Sequence, residues 1–211
     1  MAVCNRIWIH RRRNKWLSLF GILAILLGVL WLQQGLGLAA AAAALKGTAV
    51  THAETAIATP DWTFESLYGG NYGSADFAGK VVLLVNTASL CGYTPQYSAL
   101  QKLQDTYKDQ GLVVFAVPSD DFNQEKANNA EVKSFCELNY GITMPMSVIA
   151  HVTGPEAHPL YLWLKQTTGF EPEWNFNKVL FDRQGKVVGT WRSGTEPIGS
   201  EIETEVQRLL T

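Results

Sequence analysis

Cysteine is scarce in this 211-residue chain: Cys4, Cys91 and Cys136 are all there is. None has a second cysteine three positions on, and Cys91 is followed by Gly92, Tyr93 and Thr94, so the Cys-x-x-Cys pair of a dithiol reductase is missing. Histidine is also sparse. His52, His151 and His158 show no ligand spacing with acids or cysteines, and no metal is expected. Acid is absent from residues 1–46, which hold Arg6, Arg11, Arg12, Arg13, Lys15 and Lys46. That leaves 11 basic residues against 19 acids, a net charge of −8 after residue 46. A body that acidic lacks the clustered positive charge needed to bind phosphate, so no nucleic-acid partner is expected. There is no internal repeat.

The basic start is followed by Trp16 to Leu32, seventeen residues without charge and apolar apart from Ser18. This pattern is an export or anchoring segment. Basic flanks stay on the cytoplasmic side, so the rest of the chain is expected to be exported, periplasmic or otherwise extracytoplasmic. Two outcomes stay open. The alanine tract Leu38 to Leu45 and Ala53 offer small-x-small sites for a signal peptidase, whereas the apolar run approaches the roughly 20 residues that span a bilayer. Cys4 precedes this run and cannot be the lipidated cysteine of a lipoprotein. The reading is therefore a signal peptide or membrane anchor at 1–45, a linker at 46–60 made of small polar residues without period, and a folded domain at 61–211. At 47% apolar and 17% charged residues, one well-buried domain is the expectation.

Within that domain, short apolar runs alternate with amphipathic ones. Val81 to Asn86 and Leu112 to Val117 read as buried strands. Pro95 to Gln110, with Leu100, Leu103 and Tyr107 at helical spacing, reads as a helix stopped by Gly111. A second helix is expected over Ala130 to Tyr140, with Val132, Phe135 and Leu138 on its apolar face and Gly141 closing it. A third opens at Pro159, a residue suited to the first helical position. Lys178 to Asp182 and Val187 to Arg192 read as a hairpin, and Ser200 to Leu210 as a terminal helix capped by Ser200. This order is that of an α/β, thioredoxin-like sandwich with a central mixed sheet flanked by helices. Order alone leaves other α/β folds open.

Cys91 lies where the first strand gives way to a turn and then a helix. The entrance of a helix carries unpaired N–H groups and the positive end of the dipole, which favours thiolate over thiol.

The stretch Gly79-Lys80-Val81-Val82-Leu83-Leu84-Val85-Asn86-Thr87-Ala88-Ser89-Leu90-Cys91-Gly92-Tyr93-Thr94-Pro95-Gln96-Tyr97 closely resembles the signature of the glutathione peroxidase family. Further matches follow in order: Phe122-Asn123-Gln124-Glu125, Phe135 to Gly141, Met144-Pro145-Met146, Ala157 to Tyr161, and Trp174-Asn175-Phe176. The resemblance covers roughly Asp61 to Leu210. It implies a thiol peroxidase that reduces hydrogen peroxide and organic or lipid hydroperoxides, with a catalytic tetrad of Cys91, Gln124, Trp174 and Asn175. Two carboxamides and an indole N–H suit that task, since they donate toward a thiolate without supplying an acidic proton, and stabilise a leaving alkoxide.

The family pattern Pro-Cys-Asn-Gln-Phe-Gly-x-Gln-Glu is replaced here by Pro118-Ser119-Asp120-Asp121-Phe122-Asn123-Gln124-Glu125, one residue shorter and with two acids. Asn123 is able to supply the left-handed conformation that glycine gives elsewhere. Two alignments stand at this point, with Gln124 or Asp121 in the tetrad. An acid beside Cys91 would also disfavour its thiolate.

Cys136, 45 residues after Cys91, matches the resolving cysteine of cysteine-type members. A disulfide between them would require local unwinding of the 130–140 helix. Such members resemble thioredoxin-dependent peroxidases, so a thioredoxin-like dithiol protein, or glutathione, is the expected reductant. No cofactor is implied. The short segment Gln166 to Glu173 resembles that of monomeric members with an open cleft, which Trp62, Phe77, Tyr93 and Phe170 are candidates to rim. Met144-Pro145 is a candidate cis peptide. Two other classes are weighed. A peroxiredoxin would need Pro-x-x-x-Thr-x-x-Cys, but Leu84 and Ala88 stand at its proline and threonine positions. A membrane-tethered redox sensor, relaying oxidation from Cys91 through Cys136 to a protein partner, uses the same sulfur chemistry.

Overall fold

A computed structural model describes residues 59–211. The leader expected at 1–45, nearly all of the linker, Cys4 and His52 lie outside the described residues. No helix among those described is long and apolar enough to cross a membrane.

A hairpin of β1 (Thr63–Glu65) and β2 (Asn71–Gly73) comes first. The main sheet contains β3 (Val81–Thr87), β4 (Leu112–Pro118), β5 (Lys178–Phe181) and β6 (Val187–Trp191), in the order β4-β3-β5-β6. Strands β3 and β4 run parallel, while β3/β5 and β5/β6 are antiparallel. Every residue of β3 is buried, as a central strand covered on both faces must be. Its side chains alternate: Val81, Leu83 and Val85 enter one core with Cys91, and Val82 and Leu84 enter the other with Phe115.

Helix α1 (Gln96–Tyr107) follows β3, α2 (Asn129–Tyr140) follows β4, α3 (Pro159–Thr168) precedes β5, and α4 (Glu201–Leu210) ends the chain. The first core receives Leu100 and Leu103 of α1, Val132 and Cys136 of α2, and Ile202 and Val206 of α4; the second receives Leu160 and Leu164 of α3. Caps define the ends. Asn128 accepts from Glu131 N at 3.0 Å, and Ser200 from Ile202 N at 3.0 Å. Gly111 (φ 104) ends the turn after α1, and Gly141 (φ 59) ends α2. This is the mixed sheet flanked by helices that the element order pointed to.

Three expectations are corrected. Leu138 is 85% exposed, and the inner face of α2 is Val132 with Cys136, four residues apart, while Phe135 is half-buried. No described peptide bond is cis, Met144–Pro145 included. Trp62 and Phe77 do not rim a cleft at Cys91: they stack on one another at 5.3 Å in the aromatic core with Phe115, on the other face of the sheet. Phe170 packs against that same core, which leaves Tyr93 as the one aromatic of the four beside the cysteine. The segment Met144–Ser147 lies along the free edge of β4, where Ala116 N donates to Pro145 O and Ser147 N to Ala116 O, both at 3.0 Å.

Candidate active site

Cys91 sits in the turn between β3 and α1, nearly buried, with a free thiol. The turn is tied internally. Cys91 N donates to Thr94 Oγ1 at 3.1 Å, Thr94 Oγ1 donates to Ala88 O at 2.9 Å, and Thr94 N donates to Cys91 O at 3.1 Å. Thr94 therefore holds the cysteine backbone at both its N–H and its carbonyl, and ties it to Ala88. The Tyr93 amide N–H, in the turn that leads into α1, donates to Cys91 Sγ at 3.4 Å. Leu90, Tyr93 and Trp174, flanking this turn or the carboxamide pair below, are among the few large apolar side chains left exposed.

Trp174 and Asn175 belong to a tight turn just before β5. Asn86, on the buried strand β3, holds it: Asn86 Nδ2 donates to Trp174 O at 2.9 Å, and Asn86 Oδ1 accepts from Asn177 N at 3.1 Å. Phe176, with φ 61, is bound through its N–H to Asn86 O at 2.6 Å. Asn175 is fully buried and its Nδ2 donates to Gln124 Oε1 at 3.1 Å. The Trp174 indole is 40% exposed and lies 5.4 Å from the Phe122 ring.

Gln124 is brought in by the loop after β4. Asn123 takes φ 54, Asn123 N donates to Asp120 O at 2.8 Å, and Gln124 O accepts from Leu90 N at 2.8 Å, joining this loop to the Cys91 turn. The two acids are occupied elsewhere. Asp120 Oδ1 accepts from Glu125 N at 3.0 Å, closing the loop on itself. Asp121 turns away to His151 Nδ1 (2.6 Å) and the amides of Val152 (2.6 Å) and Thr153 (3.0 Å). Burial works to raise the Asp121 carboxyl, but these donors outweigh it and hold it below its ordinary value, while the same carboxylate raises His151. Of the two alignments left open, Gln124 is the one placed against Asn175.

Gln124 and Asn175 are thus paired, and Trp174 adjoins them in the same turn, but none of the three makes a hydrogen bond to Cys91 Sγ in this structure; that bond comes from Tyr93 N. With its oxygen committed to Asn175, Gln124 Nε2 is left as a free donor, and the Trp174 indole N–H has no partner among the described residues. Cys136, also a free thiol, is fully buried in the same core cluster as Cys91. Burial pushes its thiol up to about 12; the Tyr97 hydroxyl nearby works against this, and Glu125 and Glu137 add to it.

The motifs contain Asn86 and Glu125 without revealing that they act as supports, and Ser193 lies outside them. Glu125 Oε1 accepts from Ser89 N (3.0 Å) and Lys126 N (2.8 Å), bracing the Cys91 turn from below. Burial raises this carboxyl from its ordinary value. Ser193 Oγ donates to Asn175 O at 2.6 Å. Asn86, Glu125 and Ser193 carry no periodic signal, because their bonds to Asn177, Ser89 and Asn175 span from 18 to 91 residues of sequence. A shallow depression of about 270 Å³ lined by Tyr93, Trp174, Asn177 and Arg192 opens beside the site. A better enclosed apolar cavity of about 290 Å³, lined by Trp62, Phe77, Phe115 and Phe181, contains none of the site residues. Among the described residues no group of three or more His, Cys, Asp or Glu side chains gathers in a way that could hold a metal.

A thioredoxin-type sandwich that sets one thiol in the strand-to-helix turn, without a second cysteine in that turn, defines the class of single-thiol redox enzymes. The chain belongs to the glutathione peroxidase family and is a thiol peroxidase, an oxidoreductase that reduces hydroperoxides: the family model "Glutathione peroxidase" matches residues 62–165. A glutathione peroxidase of Lactococcus lactis subsp. cremoris is 44% identical over 155 residues, covering 71% of this chain and 98% of the relative. The hydroperoxy fatty acid reductase gpx1 of Synechocystis sp. is 42% identical over 156 residues, with 69% and 91% covered. The glutathione peroxidase-like peroxiredoxin gpx1 of Schizosaccharomyces pombe is 39% identical over 147 residues, with 67% and 92% covered. Among solved structures, the T. cruzi GPX1 crystal structure superposes with a TM-score of 0.54 at 29% identity, covering 71% of this chain and 94% of that one. A putative thiol:disulfide interchange protein DsbE from Chlorobium tepidum, at 21% identity and a TM-score of 0.55 over 73% and 96% of the two chains, shares the fold.

Proposed function

We propose that Cys91 is the peroxidatic residue, assisted by Gln124, Trp174 and Asn175, and that Cys136 resolves the oxidised form for reduction by a thioredoxin-like dithiol protein. The observation that carries this reading is the Asn175–Gln124 bond, joined through Gln124 O to the Cys91 turn. In the first step the Cys91 thiolate attacks the distal oxygen of a hydroperoxide. The O–O bond breaks, the leaving alkoxide takes a proton to become the alcohol (water, from hydrogen peroxide), and sulfur is left as sulfenic acid. The free Gln124 amide and Trp174 indole N–H are donors suited to the departing oxygen, in the manner of an oxyanion hole.

In the second step Cys136 sulfur attacks the sulfenic sulfur, water leaves, and a disulfide forms. Its buried, protonated resting state means that α2 must open first, and only Val132 and Cys136 of that helix are fully buried. A dithiol protein then returns both thiols by exchange; glutathione is the other candidate donor. The exposed apolar rim of Leu90, Tyr93 and Trp174 fits bulky organic and lipid hydroperoxides as well as hydrogen peroxide, and a relative named for hydroperoxy fatty acids agrees with that range. The short segment between α3 and β5 supports a monomer. The apolar leader supports work outside the cytoplasm, tethered to or released from the membrane, where a membrane-borne dithiol donor would supply electrons.

The test is steady-state consumption of hydrogen peroxide and of a fatty-acid hydroperoxide, with thioredoxin or glutathione as donor, on the parent and on Cys91→Ser and Cys136→Ser. Cys91→Ser is expected to be inactive, and Cys136→Ser to be oxidised once and then stall with thioredoxin. Full turnover by Cys136→Ser with thioredoxin would remove the resolving role. Stoichiometric oxidation of the parent with a trapped mixed disulfide would mark a sensor instead.

A further inference from the structure

Lys178, at the start of β5, is completely buried. Its ammonium spends all three donors on neutral oxygens: Gln96 Oε1 at 2.6 Å, Thr195 O at 2.7 Å and Ser193 O at 3.0 Å. Among the described residues no carboxylate bonds it directly; Glu196 stands one bond away, its Oε1 accepting from Gln96 Nε2 at 3.4 Å. Removing an ammonium from water costs several kcal/mol, on the order of what a paired carboxylate would be needed to offset, and an apolar side chain of the same length would avoid that cost. A cation kept here without a directly bonded carboxylate calls for a use.

The acceptors show what the cation joins. Gln96 is the first residue of α1; its N–H donates to Tyr93 O at 2.9 Å, placing it directly under the Cys91 turn. Gln96 also donates from Nε2 to Ser193 O at 2.8 Å, so Lys178 and Gln96 grip the same carbonyl. Ser193 in turn donates from Oγ to Asn175 O and accepts from Asn177 Nδ2 at 3.2 Å. Asn175 bonds Gln124, and Gln124 O takes the Leu90 N–H. The hydrogen bonds close a ring: Cys91 turn, Gln96, Lys178, Ser193, Asn175, Gln124, and back to Leu90.

We propose that Lys178 is a positioning residue for the Cys91 centre, the buried cation that locks the Trp174–Asn175 turn and the start of α1 into one unit. The proposal rests on the peroxidase reading above. Positioning matters because a displacement of about 1 Å can cost a rate factor on the order of 100, and Lys178 is the charged member of the ring, bonding Gln96 of α1 and the carbonyls of Ser193 and Thr195 together. Burial brings the ammonium down to about 8, with Glu196 of the following loop working to hold it up. The other partners are neutral, and Arg192, beside Ser193, is paired outward with Glu173. The cation is thus present at neutral pH and fades in mildly alkaline solution.

The experiment follows single-turnover oxidation of the reduced full-length protein by hydrogen peroxide through tryptophan fluorescence, in the parent, Lys178→Met and Ser193→Ala. Lys178→Met, checked for cooperative unfolding, is expected to slow oxidation by roughly tenfold to a hundredfold. The parent is expected to show an alkaline decline near pH 8 and Lys178→Met to lack it, a signature that mere loss of packing would not produce. Folded Lys178→Met reacting at the parental rate overturns the proposal. Should Lys178→Met fail to fold, Ser193→Ala decides: it keeps the cation but cuts its link to Asn175, a several-fold slower reaction supports the ring, and an unchanged rate overturns it. A parent inert to peroxide overturns the peroxidase reading itself, a result distinct from an active parent with unaffected variants.

Discussion

Asn175 Nδ2 reaches Gln124 Oε1 at 3.1 Å across 51 residues of sequence, fixing two carboxamides as a pair before any substrate arrives. One consequence is that the two side chains act as a unit. Gln124→Ala and Asn175→Ala are each expected to lower kcat/KM by about tenfold to a thousandfold, and the double variant by much less than the product of the two. A double-mutant cycle on peroxide reduction checks this, and multiplicative effects would contradict the pairing.

Asn86 serves the same turn from β3. Asn86→Leu leaves the Asn177 N–H without its acceptor in a buried place, and is expected to cost about 1–3 kcal/mol. Thermal unfolding should show this as roughly 2–4 °C in Tm per kcal/mol, accompanied by loss of peroxide reduction as the Trp174–Asn175 turn loosens.

Asp121 accepts the amides of Val152 and Thr153, so Asp121→Ala orphans both and is expected to destabilise the fold by about 1–2 kcal/mol, measured by denaturant titration. Because the folded carboxyl lies below its unfolded value, this contribution is present at neutral pH and is lost as pH falls through the folded value. Peroxide reduction at neutral pH should change little, since this side chain faces His151 and not the thiol.

Alkali tests the burial of Cys136. Its folded value, about 12, lies above the ordinary 9.0, so the folded state holds the proton that the unfolded chain releases. Stability from this group is whole below pH 9 and declines between pH 9 and 12, by up to about 1.4 kcal/mol per pH unit. Lys178 acts in the opposite sense between pH 8 and 10.5, because there the unfolded chain binds the extra proton. Comparing denaturant midpoints of the parent and Cys136→Ala across this range separates the two, and parallel curves would rule out the thiol's part.

Periodicity located the long elements well, because β3, β4 and the four helices each carry an apolar pattern several residues long. Strands β1 and β2, three residues each, are too short to show a period. On α2, Val132 and Phe135 hinted at a face through Leu138, but the residue buried with Val132 is Cys136, whose small side chain gives a weak apolar signal. Trp62 and Phe77 were misplaced because linear order does not tell which face of a sheet an aromatic will cover. At the site, Cys91, Gln124, Trp174 and Asn175 were visible as motifs. Lys178 reads in sequence as an ordinary strand-end lysine, and only the fold reveals that it is fully buried.

The storage of Cys136 inside α2 bears on timing. Under the mechanism proposed above, the dwell of the sulfenic acid is governed by how often a helix with two fully buried anchors lets go, and not by how much peroxide is present. A membrane surface, a bound reductant or a crowding neighbour that stiffened α2 would lengthen that dwell and favour overoxidation, whereas one that prised it open would speed recovery.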